Sequence, residues 1–315
     1  MSQLPALKVD GIRVVEKDSG KRVHLVGLSE FAMFKRYLMP GGPAAYVAPV
    51  LVERKKLAES MGWKGPIFIR VFRHARASNV FGITDPWSYA DSVTGHFDKL
   101  TEFCNFCGDY GFYVDLTAGD FQDCFPNPVG PKGQQQHVNE TIAALVQCPN
   151  AIFQLSNEPF QNGCIVHPKN TPPTAGQPNS WGDTLKDSGY YANTVDWDHS
   201  MDLQLLCDHT ERGDVNNVIP KFIYDMPVAA SYMLELGKPV KLEEPIGADE
   251  NIIPGRRTNR ANLFKQMGEV ASYGVGVYFH STLGLSSDGF SVAPRTQECF
   301  ENFFAGVAGV VKPGV

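Results

Sequence analysis

The sequence contains no run approaching the ~18 consecutive apolar residues of a membrane-spanning helix, so no membrane partner is expected. It also lacks an excess of positive charge. The formal net charge is −6, whereas a nucleic-acid binder needs a basic surface. The N-terminal MSQLPALKVDGIRVVEKD has no charged segment followed by an apolar one, the pattern of a secretory leader. A chain that is cytoplasmic, exported by another route or stripped of its leader is expected.

Several chemistries are missing their signatures. The seven cysteines are odd in number and widely spaced, which argues against a disulfide framework. Cys104 and Cys107 lie three apart in HFDKLTEFCNFCGDYG, a helical pattern closed by glycine. That spacing puts them on one helix face, as two small core residues rather than a redox or zinc pair. No HxH or HExxH spacing supports a metal site, so His209 and His280 are not read as a metal pair and no metal or cofactor is expected. No Gly-x-Ser-x-Gly elbow is present. VGLSEFAMF lacks the glycine-rich phosphate loop that a doubly wound dinucleotide fold carries after its first strand.

What the sequence does have is alternation. IRVVEKDSGKRVHLVGL places two β-rich runs around Asp18-Ser19-Gly20, a hairpin signal. Residues 44–61 put Val47, Val50, Leu51, Leu57 and Met61 near one helical face, with Pro49 suited to a first turn and Gly62 as the stop. Strands are expected near 23–28, 66–71, 112–117, 151–156, 202–208, 239–243 and 275–280. Helical patterns separate them: from Asp85-Pro86 to about Gly108, then 134–147, 228–237, 259–274 and 295–310. An eighth strand fits the Pro-, Gly- and Asn-rich stretch 161–200, which otherwise reads as an elaborated loop. Eight β/α units predict a (β/α)8 TIM barrel with an N-terminal β-hairpin, one catalytic domain spanning residues 1–315. An open doubly wound sheet is the runner-up.

A barrel keeps its active site at the C-terminal ends of its strands. The expected strands deliver Ser29 and Glu30, then Arg70, then Asp115 and Thr117, then Asn157 and Glu158. The later ones deliver Asp208 and His209, then Glu243 and Glu244, and finally His280 and Ser281. Arg73, His74 and Arg76 read as a solvated loop in preference to an acidic-sugar site. Trp181, Trp197 and Tyr190-Tyr191 suit either stacking on sugar rings or packing of the long loop on the barrel.

These strand ends resemble the clan A glycoside hydrolases, the (β/α)8 group that includes the family 5 cellulases and mannanases. The likeness rests on Asn157-Glu158-Pro159 after a strand, on Pro239-Val240-Lys241-Leu242-Glu243-Glu244, on Arg70 in IFIRVF and on the opening hairpin. It implies a retaining glycoside hydrolase acting on β-linked oligo- or polysaccharides. In it Glu158 is the general acid/base, Glu244 the nucleophile, Asn157 the holder of the sugar 2-hydroxyl and Arg70 the support of the nucleophile. His209 matches the group expected after the sixth strand, if 202–209 is that strand. Glu30, His280 and Trp181 complete the expected sugar contacts. Phe279-His280-Ser281 stand where the clan often has a Trp. Glu243 is read as turned away, because alternate strand residues face opposite sides. The chemistry agrees, since glycoside cleavage needs one protonated and one ionised carboxyl group. The competing readings are a catalytically inactive carbohydrate-binding or structural barrel, for example part of a larger particle such as a phage tail, and a metal-dependent barrel hydrolase.

Overall fold

The computed structural model describes residues 4–73, 95–118, 131–154, 179–180, 206–208, 230, 233–235, 237–242, 265, 268–279 and 294–312. The chain opens with a small antiparallel sheet of β1 (Leu7–Asp10), β2 (Arg13–Glu16) and β3 (Arg22–Val23). The β2–β3 hairpin turns at Ser19 and Gly20, the latter with φ of 70°, as the Asp-Ser-Gly signal predicts. The second β-rich run does not continue unbroken. It splits into β3 and β4 (Val26–Ser29).

From β4 onward strands and helices alternate. The helices include α1 (Met33–Leu38), α2 (Ala48–Ser60), α3 (His96–Asp109), α4 (Pro131–Leu145) and α5 (Pro294–Val310). The strands are β5 (Ile67–Phe72), β6 (Phe112–Thr117), β7 (Ala151–Gln154), β8 (Asn179–Ser180), β9 (Leu206–Asp208), β10 (Val240–Leu242) and β11 (Gly276–Phe279). One wide helical turn, Pro43–Val47, leads into α2, where Pro49 occupies the first turn. There its missing N–H costs nothing.

Strands β4 to β11 form one sheet in the order β8-β7-β6-β5-β4-β11-β10-β9, and every recorded pairing in it is parallel. This order is decisive. Strand β4 pairs with the next strand, β5, and also with the last, β11, so the sheet runs in chain order around a ring. The arrangement is a (β/α)8 barrel, and the doubly wound alternative is set aside. The eighth strand lies in the expected stretch, as Asn179–Ser180.

Side-chain alternation assigns the two faces of the ring. Ile67, Ile69, Val71, Val114, Leu116, Phe153, Val277 and Phe279 join the layer between strands and helices. The intervening Phe68, Tyr113, Ile152 and Tyr278 pack instead with Leu7, Val14, Val23 and Leu25. This second cluster is the floor of the barrel lumen, and the small sheet closes it from below. Strands buried on both faces have no polar face to alternate with, which is why they read as continuous apolar runs. Gly27 leaves the room this floor needs. A Cβ there would lie 2.8–2.9 Å from Phe68 and the Tyr278 ring.

Cys104 and Cys107 are free and fully buried in α3; burial raises the Cys107 thiol, and a hydrogen bond with Cys148 together with burial raises that of Cys104. They are core residues, as their spacing predicts.

Candidate active site

Moving up each strand by two residues from the apolar floor, the lumen changes character. Above Phe68 stands Arg70, above Tyr113 stands Asp115, above Ile152 stands Gln154, and β10 contributes Lys241. All four are fully buried. Lys241 forms an ion pair with Asp115. The pair joins β10 to β6, the seventh and third strands of the ring, so it spans the lumen. Tyr278 donates its hydroxyl to Asp115 Oδ2 at 2.8 Å, and the Lys241 ammonium sits 5.7 Å from the centre of the Tyr278 ring.

Beside this group, Arg70 donates to Gln154 Oε1 through Nε at 3.2 Å and Nη2 at 3.1 Å. Thr117 also donates to Gln154 Oε1. The Arg70 guanidinium lies 5.2 and 5.0 Å from the ring centroids of Phe31 and Phe72, two rings that stack on each other at 4.5 Å. Stacking of this kind suits a planar guanidinium far better than an ammonium. The described lumen thus contains two buried cations, Arg70 and Lys241, with one buried carboxylate, Asp115. A lumen with that balance attracts further negative charge at its mouth.

Two other predicted groups lie elsewhere. Glu30 follows β4, but its side chain enters the layer behind the sheet. There Oε1 accepts from Arg54 Nε of α2 at 2.9 Å, both side chains being buried. Glu30 Oε2 is buried with no hydrogen-bond partner among the described residues. Burial raises the Glu30 carboxyl above its ordinary range, with Arg54 and Arg36 opposing. Its main-chain N–H donates to the Arg70 carbonyl at 2.9 Å, so Glu30 fixes the exit of β4 beside the second strand.

Arg73 is not the solvated residue that its loop composition predicts. It is 1 % exposed, donates to His96 Nε2 at 2.9 Å and lies 5.3 Å from the centre of the Phe97 ring. A guanidinium can only donate, so His96 accepts through Nε2. Burial and the Arg73 charge push its imidazole down to about 3. Phe279 packs outward on Phe300 and Phe303 of α5 at 5.4 and 5.8 Å, so this aromatic belongs to the helix layer.

Glu158, Glu244, Asn157, His209, His280 and Trp181 lie outside the described residues, as do Glu243, His74, Arg76, Tyr190, Tyr191 and Trp197. The strands that lead to the first four are described. Ring order makes β7 the fourth strand, and Asn157 and Glu158 follow its last residue, Gln154, by three and four positions. Strand β9 is the sixth, and His209 is the next residue after Asp208. Strand β10 is the seventh, and Glu244 comes two residues after Leu242.

Sequence reasoning missed Gln154, Lys241 and Tyr278, and noted Asp115 only as a strand end. A signal was present. IFIRVF, FYVDLT and VKL each carry one charged residue inside an otherwise apolar strand, and such a residue must find a partner inside the fold.

No protein-family description matches the chain, and no curated protein matches it. Solved structures do. A glycoside hydrolase family 5 mannosidase from Rhizomucor miehei superimposes with a TM-score of 0.61 at 15% identity, covering 98% of this chain and 99% of that one. A mutant of that enzyme in complex with mannosyl-fructose gives 0.61 at 14% identity, with 97% and 98% covered. A GH5_18 mutant from Bifidobacterium longum in complex with Manb1-4GlcNAc gives 0.59 at 14% identity, with 90% and 78% covered. At such identities the likeness is one of fold: the chain has the family 5, clan A type of barrel.

Proposed function

We propose that the protein is a retaining glycoside hydrolase that cleaves β-linked glycosidic bonds, with Glu158 as general acid/base and Glu244 as nucleophile. The observation that carries this reading is the ring order: the two glutamates follow the fourth and seventh strands of a barrel whose described lumen residues set Arg70 and Lys241 against one carboxylate. In this reading the cationic lumen keeps the nucleophile ionised, and that anion in turn raises Glu158 so that it holds its proton near neutrality. Retention requires the two carboxyl groups ~5–5.5 Å apart. Asn157 holds the sugar 2-hydroxyl, and His209 orients the nucleophile. Arg70 supports it while bound to Gln154. His280 and Trp181 contact the sugar farther out, and Glu30 acts indirectly through the β4 exit. The neighbours' mannosyl ligands make β-mannosides the first substrates to test.

The nucleophile assignment has an internal rival. Lys241 faces the lumen, and an unbroken extended chain would return Glu243 to that side. The spacing from Pro239 favours Glu244, which then needs one extra residue of bulge at the strand end. Variants separate these. Glu158→Gln and Glu244→Gln are each expected to lower kcat on an aryl β-mannoside or on β-1,4-mannooligosaccharides by at least about a thousandfold. Glu243→Gln should retain most activity. Proton NMR of the first-formed anomer should show retention. Loss in Glu243→Gln with activity in Glu244→Gln transfers the nucleophile to Glu243. Sugar binding without release of reducing ends by the wild type defeats the reading in favour of an inactive barrel.

A further inference from the structure

Three buried thiols gather where α3 packs on α4, and the proposed reaction uses none of them. Cys104 and Cys107 belong to α3, and Cys148 lies in the turn that carries the chain from α4 into β7. The chain runs close on both sides of Cys148. Thr101 of α3 donates its hydroxyl to the Ala144 carbonyl of α4 at 3.0 Å. Asn150 donates its side-chain amide to the Cys104 carbonyl at 2.8 Å and to that of Phe112 at 3.1 Å. Between these two bridges, Cys148 Sγ lies 3.7 Å from the Ala144 carbonyl oxygen and 3.9 Å from that of Thr101. It also shares a hydrogen bond with the Cys104 thiol.

Backbones that single short side chains bridge are within reach of a disulfide, whose Cα atoms stand ~4.4–6.8 Å apart. A rotation about χ1 takes two sulfurs from hydrogen-bond contact to bonding distance. The two thiols are unequal. Their shared hydrogen bond lowers Cys148, with burial opposing, and raises Cys104, with burial adding to it. The thiolate is the nucleophile, so Cys148 reacts first. It also follows the end of a helix: α4 stops at Leu145, and the exposed Val146 and Gln147 come directly before it. Helix ends open locally at low cost, which admits a small oxidant to a thiol that is buried in the closed fold. Cys107 has no such advantage, and burial alone raises its thiol.

We propose that Cys104 and Cys148 are a reversible redox pair: a hydroperoxide converts them to a disulfide that ties α3 to the turn before the fourth strand and makes the barrel harder to unfold. The Cys148 thiolate attacks one peroxide oxygen. The O–O bond breaks, hydroxide leaves and takes up the proton that the thiol released, and Cys148 becomes a sulfenic acid. The Cys104 sulfur then attacks the Cys148 sulfur. The S–S bond forms as the S–O bond breaks, and the Cys104 proton leaves with the hydroxyl as a second water. The two thiols lose two electrons and the peroxide gains them. The bond closes a loop of roughly 45 residues, which restricts the unfolded chain. It lies by the strand starts, away from the proposed carboxylates, so the pair stands whether or not the protein cleaves glycosides.

The full chain is reduced, treated with hydrogen peroxide without denaturant, quenched, alkylated and digested without reductant for mass spectrometry. A Cys104–Cys148 peptide is expected as the first linkage to form, in a protein about 2 Da lighter, and dithiothreitol should reverse it. The urea midpoint of the oxidised protein should exceed that of the reduced one by about 1 M. Cys148→Ser and Cys104→Ser should each lose both the linkage and the rise. Cys104→Ser should also leave a sulfenic acid at Cys148 that dimedone traps. The wild-type peptide needs no variant, so it decides the matter even if the variants fold poorly. Another cysteine pair linking first, Cys148 passing to a sulfinic acid without linkage, or Cys148 remaining a thiol under peroxide would overturn the proposal. Linkage with an unchanged or lowered midpoint would overturn its stabilising part.

Discussion

Two levels of the same lumen, two residues apart on each strand, are built from opposite materials. The lower is Phe68, Tyr113, Ile152 and Tyr278 against the small sheet. The upper is Arg70, Asp115, Gln154 and Lys241. The lower level gains from removing apolar surface from water, about 25 cal/mol per Å². The upper level gains little net stability, because the desolvation of a buried ion pair offsets most of its attraction. It contributes direction instead: donors and charges aimed at the end where the proposed carboxylates follow. Tyr278 belongs to both, its ring 6.3 Å from that of Phe68 and its hydroxyl on Asp115. The difference teaches that the barrel spends its lower strand positions on holding and its upper ones on polarity.

The sharpest way to break this comparison is Asp115→Leu. It removes the carboxylate paired with a buried ammonium and should destabilise by about 3–5 kcal/mol, read by urea denaturation. Adding Lys241→Met should recover most of that loss, because the whole pair is then replaced by apolar groups. A double variant as unstable as the single one would show that the upper level is a stability element after all.

Arg54→Met makes the same test behind the sheet, and pH supplies its signature. The variant should lose about 3–5 kcal/mol near neutrality, where Glu30 is left as an unpaired buried anion. Burial raises the folded-state Glu30 carboxyl above its unfolded value. A group raised on folding stabilises fully below its unfolded pKa and loses that contribution as pH rises through the folded one. Without Arg54 the rise is larger, so the deficit of the variant should shrink on acidification as Glu30 takes up a proton. A deficit independent of pH would count against an ionised Glu30. The smallest effect is expected at the lower level. Gly27→Ala inserts a methyl group against Phe68 and Tyr278 and should cost about 1–3 kcal/mol, with no pH dependence beyond that of the wild type.

Much of the fold was legible because each long strand is a β-rich run bounded by turn residues, and because Gly62, Gly237 and Gly274 stop helical patterns with positive φ angles. Strand β8 was legible only as a gap to be filled. Asn179–Ser180 has no β preference, and its place follows from pairing with Phe153 and Gln154. Helix α1 has no side-chain cap and was not foreseen, and neither was β1, four residues held by their register with β2. Around the candidate site, motif and spacing pointed to Glu158 and Glu244, which lie outside the described residues, but the supporting layer was not legible. Asp115 and Lys241 are 126 residues apart, and only the ring order brings the third strand to face the seventh. Arg73 misled for a related reason: its neighbours are loop-like in composition, and nothing local shows that His96 and Phe97 will cover it.

The closure of the ring between β4 and β11 also bears on how the protein is made. Val26 pairs with Val277, so β4 leaves the ribosome roughly 250 residues before one of its two partners exists. At ~5–20 residues per second that wait is on the order of tens of seconds. Throughout it β4 carries an unpaired parallel edge, the kind that recruits other chains. Chaperone capacity or a slowed rate of synthesis should therefore govern the yield of soluble protein more strongly than any single contact in the finished barrel.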